Sequence, residues 1–251
     1  MEIELRGAAD APLLLWRAGP GWRMLSSGAL GGGLGRRTWV INAQVPVSYA
    51  RTDPAAHLRE LADPCGLEGP GVGMLTAAAV RHYTRADEQG VRAMATVGLS
   101  VPTWAVNHHQ RLPAAAPRPG TVNIVAALPV PLDDAALVNA VMTATEAKSQ
   151  ALLEAGFAGT GTASDAVCLA APHATGRTAR EPFCGPRSVW GARLARAVHR
   201  TVLQGALSWR ARHPDGRTEA SAQAAARAGR DLPPGRDQAD DGEEGQHEQR
   251  P

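Results

Sequence analysis

Apolar positions recur with a strand-like spacing in the first half of the chain and a helix-like spacing later. Short apolar or alternating runs at 12–18, 22–25, 38–45, 91–99, 122–128 and 166–171 predict strands, several closed by proline, glycine or serine. Asp53-Pro54 pairs an N-cap residue with a proline suited to the first helical position, and opens a short helix with Leu58 and Leu61 inward. Asp133 and Asp134 offer the N-cap of a long helix to about residue 155, with Gly156 as the glycine expected just past its end. Ser188 caps a last helix over 190–209, where Leu194, Ala197, Val198, Thr201 and Val202 form an apolar stripe. Together these predict an α/β (α+β) fold: a single domain over 11–209 with a mixed β-sheet covered by helices.

After Trp209 the pattern stops. Leu232 is the one large apolar residue left among Ala, Gly, Arg, Asp, Glu, Gln and Pro. Such a segment cannot bury enough apolar surface to offset its ordering entropy, so 212–251 is expected to be a disordered polar tail.

The stretch 120–172 reads as strand, helix, strand. If the two strands are parallel neighbours, their starts lie on one edge of the sheet. Thr121 and Asn123 open one strand, and Thr160, Thr162, Ser164 and Asp165 precede the other. A doubly wound nucleotide-binding sheet places its ligand at the opposite edge, so this polar clustering argues against one; a site on that C-terminal edge would use Asp133, Asp134 and His173, and spacing alone does not choose between the two edges. On the helix between, Leu137, Val138, Val141, Met142, Leu152 and Leu153 are expected to share a buried face. Thr145 falls near its middle, Lys148 and Ser149 inside its edges, and Glu146 on its border. A lysine there either snorkels or meets a carboxylate.

Composition narrows the picture further. Of 251 residues, 44% are hydrophobic but only 4% aromatic, so the core must be built mainly of Ala, Val and Leu. A net charge of +2 from 26 basic and 24 acidic residues gives no electrostatic case for a nucleic-acid partner. The apolar patch 12–16 is too short for a signal sequence, and no window reaches the length of a membrane span. Three cysteines without a C-x-x-C pair fit a reducing compartment, which points to the cytoplasm. The eight histidines show no metal-ligand spacing, and the adjacent pair His108-His109 would point to opposite faces of an extended segment, so no metal site and no cofactor are expected.

Two further features suggest binding. Gly31, Gly32 and Gly33 lie in a glycine-dense loop over 28–35, which permits close backbone approach but lacks the Lys-Ser/Thr ending of a phosphate loop. Asn42 and Gln44 share one face of a predicted strand, where two carboxamides suit an amide-rich ligand or a solvated sheet face. Arg193, Arg196 and Arg200 line another face of the last helix, as a solvated surface or a site for an acidic ligand or partner.

These motifs resemble the adenosylcobinamide amidohydrolase (CbiZ) family. The pieces are Met24-Leu-Ser-Ser-Gly-Ala-Leu-Gly-Gly-Gly33, Val40-Ile-Asn-Ala-Gln-Val-Pro46, Val72-Gly-Met-Leu-Thr-Ala77 and Gly120-Thr-Val-Asn-Ile124. Joining them are the run from Asp134 to Lys148, Gly159-Thr-Gly-Thr-Ala-Ser-Asp-Ala-Val-Cys168, and Pro182-Phe-Cys-Gly-Pro-Arg187 with Trp190-Gly191. The resemblance implies a corrinoid-salvage enzyme that hydrolyses the amide joining the aminopropanol arm of adenosylcobinamide to the ring, yielding adenosylcobyric acid and 1-amino-2-propanol. The corrinoid is then the small-molecule substrate.

Amide hydrolysis needs an activated nucleophile, an oxyanion stabiliser and an acid for the leaving amine. No G-x-S-x-G elbow or triad spacing is present. Attack by water is expected, with Asp165 or Glu146 as base, Asn123, Thr121 or a loop N–H at the oxyanion, and Lys148 orienting a carboxylate or protonating the amine. Covalent routes through Ser164, Thr162 or Cys168 stay open. Asn42, Gln44, Gly31, Gly32, Gly33, Ser164 and Arg187 are the expected substrate-binding residues, with Asn42, Gln44 and the glycines of 28–35 lining one broad cleft for the large, amide-rimmed corrinoid. The competing readings are a non-catalytic corrinoid-binding protein, for which the D-x-H-x-x-G motif of base-off carriers is missing, and a phosphoryl- or nucleotidyl-transfer enzyme.

Overall fold

A computed structural model describes residues 1–9, 11–106, 120–176 and 178–214. Most of the proline-rich excursion, with His108 and His109, and the tail from 215 onward lie outside the described residues.

The chain builds two sheets rather than the one expected. The first joins β1 (Glu4–Ala8), β2 (Ala11–Arg17), β5 (Trp39–Gln44) and β6 (Gly71–Thr76) in that order. The second runs β4 (Gly33–Arg36), β3 (Trp22–Ser26), β10 (Ala166–Pro172), β9 (Thr121–Ala127), β8 (Val91–Gly98), β7 (Thr84–Glu88). Both sheets are mixed. β5 and β6 are parallel, as are β9 and β10, and the other neighbours are antiparallel.

Side-chain alternation explains the layering. Even positions of β2, β5 and β6 (Leu14, Trp16, Val40, Val72, Met74) meet Met24, Met94, Val125, Ala127, Cys168 and Ala170 of the second sheet. Odd positions of β2 and β5 face α1 (Pro54–Ala62), through Leu58 and Ala62. The outer face of the second sheet is covered by α2 (Asp134–Glu154) and α3 (Val189–Arg212). The result is a four-layer stack, α1, sheet, sheet, then α2 with α3, so the inner strands of each sheet bury both faces and read as near-continuous apolar runs.

Asp53 and Asp133 stand at the N-cap positions of α1 and α2 without a side-chain capping bond, and the other helix signals hold. Ser188 accepts from Gly191 N at 3.0 Å, Gly156 has a φ of +81°, and the expected α3 stripe is buried. Strands β4 and β7 carry no strong apolar pattern and are missing from the sequence reading; both are edge strands. β7 joins β8 through Gln89 and Gly90, both at positive φ, the backbone of a tight hairpin turn. The arginines of α3 are tied down, since Arg196 and Arg200 both pair with Glu88 of β7, at 3.1 and 3.0 Å.

The buried face of α2 is rotated from the expected one. Ala136, Ala140, Thr143, Ala144, Ala147, Lys148 and Ala151 are inside with Leu137 and Leu152, while Val138, Met142 and Leu153 stand about half exposed and Thr145 faces solvent. Small side chains let α2 sit close to α3 and the sheet, so the alanines win the interior and the larger residues are turned out. Among the described residues no helix is long and apolar enough to cross a membrane.

Candidate functional site

The parallel pairing of β9 and β10 sets Ala166 opposite Asn123 and brings both strand starts to one edge. The loop 159–165 lies across that edge, and α2 delivers Lys148 from its C-terminal half. Lys148 Nζ stands 2.5 Å from Asp165 Oδ2, and the two side chains are only 11% and 15% exposed. Asp165 also accepts from Val122 N at 2.9 Å, Thr162 N at 3.1 Å and Thr162 Oγ1 at 2.5 Å. Four donors match the four acceptor positions of a carboxylate. A single ion pair thus ties β9, the loop and α2 together. Gly161 leaves the room for it, as a Cβ there would fall 2.5 Å from Lys148 Nζ.

Beside this pair lies a hydroxyl cluster. Thr121 Oγ1 and Ser164 Oγ are 2.8 Å apart, and Gly120 O accepts from Thr162 Oγ1 at 2.8 Å and Ser164 Oγ at 3.1 Å. Ser164 is exposed while Thr121 is buried. The arrangement combines a fixed carboxylate, a buried ammonium and an accessible hydroxyl at one mouth.

Two residues further into β9, Asn123 joins a second cluster between the sheets. Its Nδ2 donates to Asn42 Oδ1 at 2.8 Å and to Leu75 O at 2.9 Å, while its Oδ1 accepts from Ala166 N at 3.1 Å. Asn42 Nδ2 donates to Thr96 Oγ1 at 2.9 Å. Asn42 and Asn123 are completely buried. Thr96 was missed by sequence reading because a lone threonine in an apolar strand gives no signal until the partner sheet arrives.

The other expected residues separate. Asn42 lines no open cleft, since the second sheet covers it. Gln44 is half-buried and accepts from Val80 N at 3.0 Å, which fixes the chain after β6. The glycine loop lies at the opposite end of β6. Leu30 pairs with Gly73, and Gly31, at a φ of +63°, sits against Gly71 O where a Cβ would clash. Gln44 pairs with Thr76, five residues along from Gly71, roughly 16 Å at strand rise. Gly31 instead borders a cavity of about 570 Å³ with Arg37, Trp39 and Arg59. Gly32 and Gly33 are exposed. The glycines and carboxamides therefore do not form the single cleft expected of them.

Glu146 is also apart. Two residues from Lys148 is about 200° around a helix, so it faces the α2–α3 groove with Arg196, His199, Arg200 and Pro186. Arg187 is exposed on the turn before α3, next to that groove. Cys168 is sealed between the sheets with its Sγ 3.8 Å from Met24 Sδ, and burial pushes its thiol up to about 12, which leaves no nucleophile. Among the described residues no three His, Cys, Asp or Glu side chains group so as to hold a metal ion.

The fold and this mouth define an α/β protein with one charged, hydroxyl-rich site on a sheet edge. A family model described as adenosylcobinamide amidohydrolase matches residues 1–214, the whole of the described domain. A protein of Methanosarcina mazei named adenosylcobinamide amidohydrolase is 31% identical over 185 residues, covering 71% of this chain and 88% of that one. One of the same name from Halobacterium salinarum is 37% identical over 205 residues, covering 79% and 86%. The chain belongs to the adenosylcobinamide amidohydrolase family. The match begins at residue 1, and β1 is accordingly an integral edge strand of the first sheet.

Proposed function

We propose that this protein hydrolyses the amide between the aminopropanol arm and the corrin ring of adenosylcobinamide, giving adenosylcobyric acid and 1-amino-2-propanol. The observation that carries the site assignment is the Lys148–Asp165 pair held against the accessible Ser164 hydroxyl. Nothing among the relatives supports a non-catalytic carrier, since both bear an enzyme's name.

Asp165 is the general base for an attacking water. Its carboxylate is saturated at rest, but Thr162 Oγ1 has one proton and two acceptors, Asp165 Oδ1 and Gly120 O. When Thr162 donates to Gly120, one position on Oδ1 opens to water. The proton taken from that water returns from Asp165 to the amide nitrogen as the C–N bond breaks and the C–O bond is complete. Ser164 and Thr121 supply hydroxyl donors for the oxyanion. Lys148 holds the carboxylate in place, and Asn123 fixes the start of β10 through Ala166 N. Glu146, on the far side of α2, takes no part. Three free cysteines support a reducing, cytoplasmic setting.

The test is to incubate purified protein with adenosylcobinamide, with and without chelator, and to follow 1-amino-2-propanol and corrinoid mass. Release of the amine with appearance of the acid is expected. Unchanged corrinoid at high enzyme concentration overturns the proposal.

A further inference from the structure

The glycine loop over 28–35 contributes to the wall of the cavity of about 570 Å³ at the start of β6, and it does so by seating Arg37. Arg37 Nε and Nη2 both donate to Gly31 O, at 3.1 and 3.0 Å, and Nη1 donates to Arg36 O at 2.8 Å. A Cβ on Gly35 would collide with this guanidinium, so the glycine there makes room for a charge. Three of the five N–H donors of the planar fork are engaged, and two are left for a ligand. Arg59 reaches the same cavity from α1, and its side chain pairs with no carboxylate among the described residues. The acceptors around the cavity, by contrast, are engaged. The carbonyls of Leu30, Gly31, Gly69 and Pro70 accept from Gly73 N, Arg37, Trp39 Nε1 and Thr38 N. Those of Arg59 and Asp63 accept from Asp63 N and Gly66 N at the end of α1. What remains is guanidinium donors and one exposed carboxylate, Asp63. Such a lining calls for a ligand that accepts hydrogen bonds and carries negative charge.

We infer that this cavity binds the phosphate group of a small phosphate ester. Arg37 and Arg59 hold the phosphate, and the organic part of the ester lies against Leu30, Ala62 and Leu67 of the same lining. Two guanidiniums match a phosphate, at about −1.5 to −2 charges near neutral pH, better than they match the single charge of a carboxylate. The volume exceeds what the phosphate alone would fill and suits a small organic ligand. The site is separate from the amide mouth, because Gly71 lines the cavity at one end of β6 while Leu75 O meets Asn123 near the other. It stands independently of the amidohydrolase reading.

The test is isothermal titration calorimetry of the full chain in a phosphate-free, low-salt buffer near neutral pH. Inorganic phosphate, glycerol 3-phosphate and acetate are the probes. Saturable binding of both phosphates is expected, with acetate at least about tenfold weaker. Arg59→Gln changes an exposed side chain, so the fold is retained, and it should raise Kd for both phosphates by about tenfold. Arg37→Lys keeps the charge but loses the fork and should weaken them as well. Asp63→Asn should act in the opposite sense and tighten phosphate by about two- to fivefold, since it removes the opposing charge. No saturable phosphate binding by the wild type at about 10 mM overturns the inference. So does an unchanged Kd in folded Arg59→Gln protein, or acetate bound as tightly as phosphate.

Discussion

Thr121 and Asn123 sit two residues apart on the same face of the same strand, yet they belong to regions with different physics. Thr121 is at the sheet edge, where its hydroxyl meets the exposed Ser164 and the loop that holds Asp165. Asn123 is one step deeper, covered by the first sheet and locked to Asn42, with three carboxamide hydrogen bonds all directed to protein. Both regions are chains of polar groups. The first ends at solvent and can exchange a partner for substrate. The second is closed, so it joins the two sheets and fixes their register. Depth, rather than residue type, separates a site from a staple, because a polar group sealed from water must spend its hydrogen bonds on the protein.

The largest expected effect is at the mouth. Asp165→Asn removes the base while keeping the shape, and kcat/KM should fall by at least about 10²-fold with the fold retained by circular dichroism. Activity within a few-fold of wild type would move the chemistry away from this edge. The closed chain should respond in the opposite sense. Asn42→Ala removes the side-chain donor to Thr96 and one of the acceptors of Asn123 Nδ2, both buried, and should lower stability by about 1–3 kcal/mol in denaturant unfolding, with kcat changed less than about threefold. A large loss of kcat at unchanged stability would make Asn42 part of the site.

Smaller effects sharpen the boundary. Glu146→Gln should leave turnover within about threefold, because the side chain faces the α2–α3 groove; a loss comparable to that of Asp165→Asn would restore it as a candidate base. Burial holds Cys168 protonated to about pH 12, so at pH 8 iodoacetamide should label the partly exposed Cys65 and leave Cys168 untouched in the folded protein, as read by peptide mass. Deleting 215–251 should change neither turnover nor melting temperature, since the family match ends at residue 214.

Much of the fold was legible from pattern alone. The long strands, all three helices, the caps at Ser188 and Gly156 and the β9–α2–β10 unit with polar starts on one edge followed from apolar period and turn residues. What escaped were β4 and β7, whose edge positions demand little apolar character, and β6, whose glycines interrupt its apolar run. The face of α2 also escaped. Summing hydrophobicity around the helix favours Val138, Met142 and Leu153, but close packing favours the alanines, and only the neighbouring layers decide between size and smallness. For the site, Lys148, Asp165, Thr121 and Ser164 were visible as a group because they flank one crossover. Glu146 was misplaced with them by the same rotation of α2. Asn42, Gln44 and the glycines were grouped into one cleft on residue chemistry, although β6 keeps them at its two ends.

The sequence by itself determined the three helices, most of the central strands and that one edge of a parallel pair gathers the polar groups, because these depend on interactions a few residues apart. The tertiary structure alone decided that there are two sheets, that Asn42 is sealed while Ser164 is open, and which side of α2 meets water. Those outcomes turn on what each surface is pressed against, and no local pattern carries that information.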